Sequence, residues 1–440
     1  MATVDVKAWI DDRPVGRFQW LILVACFLIV VFDGFDVAVM GFVGPAVMHE
    51  FGISKVAFGP VLGVGMIGLA IGSLSAGPVA DRLGRRSVLL LGVAGFGLFS
   101  VLTAIARSPL ELVLLRLLTG IALGAVLPNT STLLAEYLPE RRRALLVTVM
   151  ITGFTVGSGS GGFVTASLLP GYGWRSVLLM GGLLPLALLP ALWFLLPESP
   201  RFLVARGAAP DRIARVLRRL GGRFPASATF VLTEDAGPRR TPVGKLLTAR
   251  YRRRTLSLWI TCFALLLVVY LVLGWLPTLL RDGGLPLGTA AMVAGLFQLG
   301  GIVGGPAAGW LMGRWEPGRV LGVSCALSGV FILSLGAVSL SSPLLAVLVF
   351  AAGTCLNGGM VGLLAFIPGC YPTDCRASGS AWTLGIGRFG AILGSLVGGA
   401  VLGLGLAVPL LFLCLAVPTF AAAVAIVAGR EARTPSVLVG

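Results

Sequence analysis

Two aspartates three positions apart, Asp33 and Asp36 in Asp33-Gly34-Phe35-Asp36, lie inside a stretch that is otherwise apolar from about Phe18 to Val43. Three residues fall about 60° short of a full helical turn, so both carboxyls look out from nearly one helix face. An ionised carboxylate in hydrocarbon costs at least ~2.5 kcal/mol, so such groups pair, line a wet cavity or carry protons. Two readings follow. One is a proton or ion site in a transporter; the other leaves Asp36 at the water interface.

Such residues need an apolar scaffold, and the chain is built as one. Hydrophobic residues make up 57% of its 440 positions, charged residues 12%, and mean hydropathy is +0.97. That composition predicts an all-α integral membrane protein. Runs long enough to span a bilayer predict twelve transmembrane helices, at about 18–41, 57–79, 87–106, 109–132, 144–168, 174–196, 254–280, 288–312, 318–340, 343–367, 377–402 and 405–428. The Met1–Arg17 stretch is too charged for a secretory signal, so the first run is expected to stay as the first helix.

A net charge of +16 in a soluble protein would suggest nucleic acid, but the distribution argues otherwise. With the N-terminus inside, all but six of the 34 Lys and Arg fall on the cytoplasmic side. Lys55, Arg107, Arg175 and Arg281 fall outside, while Arg116 and Arg388 lie within the membrane. This positive-inside pattern predicts an inner-membrane protein with both termini cytoplasmic and no nucleic-acid partner. No obligate protein partner is implied; the lipid bilayer is.

The seven cysteines form no spaced framework. Cys26, Cys262, Cys325, Cys355 and Cys414 sit in apolar runs as small packing residues, and Cys370 and Cys375 flank a cytoplasmic turn, where a disulfide is not expected. His49 is the only histidine and is expected in the first external loop, so no His-based metal site can be assembled. Neither metal nor cofactor is expected.

The one long polar stretch, Glu198 to Arg254, carries fourteen Arg or Lys and divides six helices from six. The expected organisation is a six-helix bundle over 1–197, a cytoplasmic linker over 198–253 and a second bundle over 254–440. Pro210 to Leu220 has helical spacing, a Pro near its start and Gly221-Gly222 after it, which predicts a basic amphipathic helix on the inner membrane surface. The halves repeat: Pro45, Gly68, Gly72 and Arg82 match Pro277, Gly300, Gly304 and Arg314 at one constant offset. Parallel six-helix repeats predict two bundles with the solute near the midplane. Asp33 and Asp36 have apolar counterparts, Leu265 and Val268, so proton chemistry is expected in the first half.

Several further residues could carry chemistry. Arg116 stands on the fourth segment at about the depth of the two acids, ~10–15 Å from the outer edge, where it could pair with them or snorkel outward. Arg388 lies near the midplane on the eleventh segment, with no acid in the second half's helices to neutralise it. An anionic solute could complete that charge balance, with Trp382 and Phe389 packing an aromatic ring; hydrogen bonding to helix carbonyls is the alternative. Tyr270, Gln298 and Asn357 are further polar candidates for the solute, or structural groups. In the turn Gly77-Pro-Val-Ala-Asp81-Arg82-Leu-Gly84-Arg85-Arg86, Gly84 allows a sharp bend and Asp81 can meet a helix N-terminus or an arginine.

With these residues the chain resembles the aromatic acid:proton symporter family of the major facilitator superfamily. The resemblance rests on Asp33-Gly34-Phe35-Asp36, the Gly77–Arg86 loop, Glu136-Tyr137-Leu138-Pro139, Pro197-Glu198-Ser199-Pro200-Arg201, Trp275-Leu276-Pro277 and Tyr371-Pro372 through Arg388. It implies two six-helix bundles of the major facilitator fold. It also implies proton-coupled uptake of a benzoate- or hydroxybenzoate-type carboxylate by alternating access, no enzymatic activity, and a requirement for Asp33 and Asp36. In the family the Gly77–Arg86 loop latches the halves on the cytoplasmic side. That assigns Gly77, Asp81, Arg82, Gly84, Arg85 and Arg86 to a latch; the second copy, Gly309 to Arg314, lacks the Asp. Gly153 to Gly162 resembles the superfamily's antiporter motif, but Ser158 replaces its Pro, which favours uptake. The alternatives are a proton-driven exporter or a sugar or organic-ion porter of the same superfamily.

Overall fold

A computed structural model describes residues 3–222, 224–225, 228–232, 243–249, 251–339, 342–372, 375–405 and 408–429. Arg223, Arg239, Arg240, Arg250, Arg430 and Arg433, counted above on the cytoplasmic side, lie outside these residues, as does part of the linker.

The chain opens with strand β1 (Thr3–Asp5) and helix α1 (Val6–Asp11). Membrane-length helices follow as α2 (Arg17–Phe51), α3 (Lys55–Leu83), α4 (Arg85–Ala104), α5 (Pro109–Tyr137) and α6 (Glu140–Leu195). Short elements come next: α7 (Pro200–Ala205), α8 (Pro210–Arg219), β2 (Thr229–Val231) and α9 (Val243–Leu246). The second series is α10 (Arg252–Asp282), α11 (Leu287–Arg314), α12 (Pro317–Leu335), α13 (Pro343–Phe366), α14 (Arg376–Gly403) and α15 (Val408–Ala428).

Eleven of the described helices are long and apolar enough to cross a membrane. One of them, α6, breaks at Gly173, whose φ of 74° and ψ of 173° end the helical ladder and start another. Two limbs there give the twelve expected spans. Helix α2 runs further than expected, so that His49 lies in its last turn rather than in a loop. Pro45 stands inside it without ending it.

The chain divides into two compact units, Met1–Val43 with Val64–Gly237, and Gly44–Gly63 with Pro238–Gly440. In the second unit, the start of α3 is fastened to α10 by the Lys55–Asp282 ion pair and by Phe58 standing edge-on to Trp275. Cys370 and Cys375 are both buried there as thiols, not bridged to each other.

In the first unit, β1 pairs in parallel with β2, Val4 opposite Phe230. The Asp5 carboxylate caps α1 by accepting from Lys7 N and Ala8 N. Asp11 reaches the start of α6, accepting from Glu140 N at 2.8 Å and meeting Arg143 at 3.7 Å. This clasp corrects the expected setting of α8. Its apolar face, Ile213, Ala214, Val216 and Leu217, is buried in one core with Val6, Ile10, Leu196 and Leu203. Protein, not lipid, covers that face, because the N-terminal segment supplies the apolar partner.

Candidate functional site

Helices α2, α4 and α5 bring the first unit's buried charges together. Asp36 Oδ2 lies 3.2 Å from Arg116 Nη1, with the side chains 1% and 5% exposed. Arg116 Nη2 also donates to Thr103 Oγ1 at 3.3 Å, and that hydroxyl donates to the Phe99 carbonyl at 2.7 Å. Asp33 is buried beside them, and its Oδ1, like Asp36 Oδ1 and Arg116 Nε, has no hydrogen-bond partner among the described residues. Arg116 is therefore turned inward onto an acid.

The rotation of α2 about its axis is set by its crossing with the first limb of α6. A Cβ on Gly34 would strike the Phe154 backbone, and one on Gly157 would strike the Val31 carbonyl. Small residues at both points let the two backbones touch, which holds the adjacent acids in place. Ser158, where the resembled motif has Pro, donates its hydroxyl to the Phe154 carbonyl at 2.8 Å.

The second unit's candidates form two pairs and a stack. Gln298 on α11 is buried, and its Oε1 accepts from Asn357 Nδ2 at 3.4 Å; the same amide donates to the Phe297 carbonyl at 3.2 Å. Tyr270 on α10 is in electrostatic reach of the half-buried Arg388 on α14. Trp382, 44% exposed, stacks against Trp259 with centroids 6.3 Å apart and planes tilted by 33°. Phe389 is exposed. Sequence reasoning did not single out Trp259. Its signal was depth: Trp259 and Trp382 each stand about two turns into their helices.

The turn between α3 and α4 is tied within the first unit. Gly84, with φ of 94°, makes the bend, and a Cβ there would meet the Glu198 carboxylate. Arg85 bridges Asp81 at 3.2 Å and Glu136 at 3.6 Å. Arg86 N donates to Glu198 Oε1 at 3.1 Å, and its guanidinium donates to the Leu196 and Trp193 carbonyls. Arg206 donates to the Asp81 and Arg82 carbonyls at 2.7 and 3.0 Å. The Arg82 side chain is exposed, and Gly77 faces open space. Glu136, Glu198 and Arg206 were not among the candidates, since their partners lie far away in sequence.

A family profile described as the Major Facilitator Superfamily matches residues 26–328 and 258–438. The chain belongs to the major facilitator superfamily. Within this superfamily it is 60% identical to a gallate transporter of Pseudomonas putida, over 99% of this chain and 98% of that protein. It is 45% identical to the 4-hydroxybenzoate transporter of Pseudomonas aeruginosa, over 90% of this chain and 89% of the relative. These relatives are aromatic acid transporters, not enzymes. A solved D-xylose–proton symporter matches with a TM-score of 0.71 at 18% identity, covering 93% of this chain and 97% of that one. At that identity the likeness speaks for the superfamily's fold alone, and the chain has that fold.

Proposed function

We propose that this protein takes up a small aromatic carboxylate of the benzoate or hydroxybenzoate type together with protons, by alternating access in the inner membrane with both termini cytoplasmic. The observation that carries the proton coupling is the buried Asp36–Arg116 ion pair with Asp33 beside it. A proton on Asp36 ends the attraction and releases the guanidinium; its loss restores the pair. Asp33 extends the same relay. Arg388 binds the solute carboxylate, since a guanidinium fork matches two carboxylate oxygens. Trp382 offers a ring face, and Tyr270, Gln298 and Asn357 offer hydrogen bonds to ring hydroxyls. The identity to relatives that transport gallate and 4-hydroxybenzoate supports this solute class. Asp81, Arg85 and Arg86, with Gly77, Arg82 and Gly84 shaping the same turn, form the cytoplasmic latch that biases the conformational exchange.

Purified protein in liposomes tests the proposal. Acidifying the outside should drive accumulation of gallate or 4-hydroxybenzoate, and collapsing the gradient with a protonophore should abolish it. Accumulation indifferent to the gradient would remove the proton from the mechanism, and failure of every aromatic acid tried would remove the solute class.

A further inference from the structure

The second unit carries a furrow of about 460 Å³ between α11 and α12, away from the charged groups described above. Its floor is Thr354 and Cys355 of α13, where Gly304 allows α11 to lie against the Thr354 carbonyl. Val320, Val323 and Leu327 of α12 form an apolar wall; Val323 and Leu327 are 58% and 42% exposed. At the turn the character changes. Trp315 is 64% exposed, and Arg319 Nε forms an ion pair with Glu316 Oε2 at 3.1 Å. Arg314 stands over the Trp310 ring at 3.8 Å.

A trough of this kind on a transmembrane surface excludes water along its wall and faces hydrocarbon. From Arg319 to Leu327 the wall runs ~12 Å at the helical rise, close to the ~15 Å hydrocarbon depth of one leaflet. At the turn, Arg314 and Arg319 outnumber the one carboxylate, Glu316, which leaves an excess positive charge. The Arg319 side chain is 71% exposed, and its guanidinium carries five N–H donors, more than its ion pair with Glu316 uses. The matching turn of the first unit is filled by protein: Glu198 and Arg206 hold it. On the positive-inside orientation, the α11–α12 turn meets the cytoplasmic leaflet, where anionic lipid concentrates and basic pockets between helices bind its headgroups.

We infer that this furrow binds one anionic phospholipid, with an acyl chain along Val320, Val323 and Leu327 and the phosphate held by Arg319, Arg314 adding charge. The inference rests on the proposed orientation but not on the transported solute, so the two can fail separately.

Native mass spectrometry of the full-length protein, delipidated and then offered equal phosphatidylglycerol and phosphatidylcholine, reads it directly. Wild type should retain one phosphatidylglycerol in preference to phosphatidylcholine. The double variant Arg314→Gln, Arg319→Gln should lose about 10- to 30-fold in that preference, from ~1 kcal/mol per basic group. Glu316→Gln should strengthen retention, and Ala307→Phe should block the trough and abolish it. Gradient-driven uptake by each variant checks that it is folded. Retention with no preference between the two lipids, or preference unchanged by the double arginine variant and by Ala307→Phe, would overturn the inference.

Discussion

Arg116 reaches Asp36 across 80 residues of sequence and holds one of its oxygens at 3.2 Å, while Asp33 lies one turn away on the same helix; each carboxyl keeps one buried oxygen without a hydrogen-bond donor among the described residues. The two carboxyls thus have the same chemistry in different surroundings. Asp36 is compensated by a cation; Asp33 shares only its neighbourhood.

Asp36→Asn should abolish accumulation against a gradient, because an amide keeps the shape but cannot cycle a proton. Exchange of labelled for unlabelled solute at equal pH should survive in this variant. Asp33→Asn should impair accumulation similarly or less. Full gradient-driven uptake in both variants would show that neither acid couples the proton.

Arg116→Gln leaves Asp36 without its cation and should lower stability by about 3–5 kcal/mol. Adding Asp36→Asn to that variant should recover most of the loss, since the remaining amides carry no charge. Thermal melting of the two single variants and the double variant in one detergent gives the coupling. Simple additivity would mean that the pair contributes nothing to the fold.

Arg388→Lys should bind an aromatic carboxylate weakly and Arg388→Ala barely, with a loss of about 2–4 kcal/mol, or roughly 30- to 1000-fold. A neutral benzamide analogue should discriminate little between wild type and Arg388→Ala. Binding by calorimetry separates affinity from coupling. Wild-type affinity in Arg388→Ala would move the carboxylate site elsewhere, with Arg116 the next residue to change.

In the turn between α3 and α4, Asp81→Asn touches an ion pair whose acid is 70% exposed, so it should cost under ~1 kcal/mol of stability. Glu198→Ala strands the Arg86 and Ser199 amides that its carboxylate accepts from, and should cost ~1–3 kcal/mol. Asp81→Asn should lower turnover far more than solute affinity, because a latch shifts populations without touching the solute. Single-turnover and binding measurements on the same preparation separate the two; an affinity loss at normal turnover would end the latch assignment.

The depth of Arg116 and the two acids followed from the helical rise alone, so their meeting was foreseeable from residue positions. The twelve spans were legible for the same reason, since hydrocarbon thickness dictates their length. Thr103, Glu136 and Glu198 were not legible, because their partners depend on which helix faces which after packing. The amphipathic pattern of α8 was plain, yet a pattern records only that one side avoids water. It does not say whether lipid or the Val6–Ile10 segment covers that side. Trp259 was hidden because a tryptophan within an apolar run carries no mark until a second one is placed beside it.

The β1–β2 pairing also dictates an order of events during synthesis. β1 is complete once the fifth residue is joined, but its partner is not made until Val231. At ~5–20 residues per second the ribosome takes roughly 10–45 s to cover that distance. Throughout that interval six spans enter the bilayer while the N-terminal strand has no β2 to pair with. The clasp closes last, so the first unit reaches its final form only when the ribosome has already begun the region between the halves.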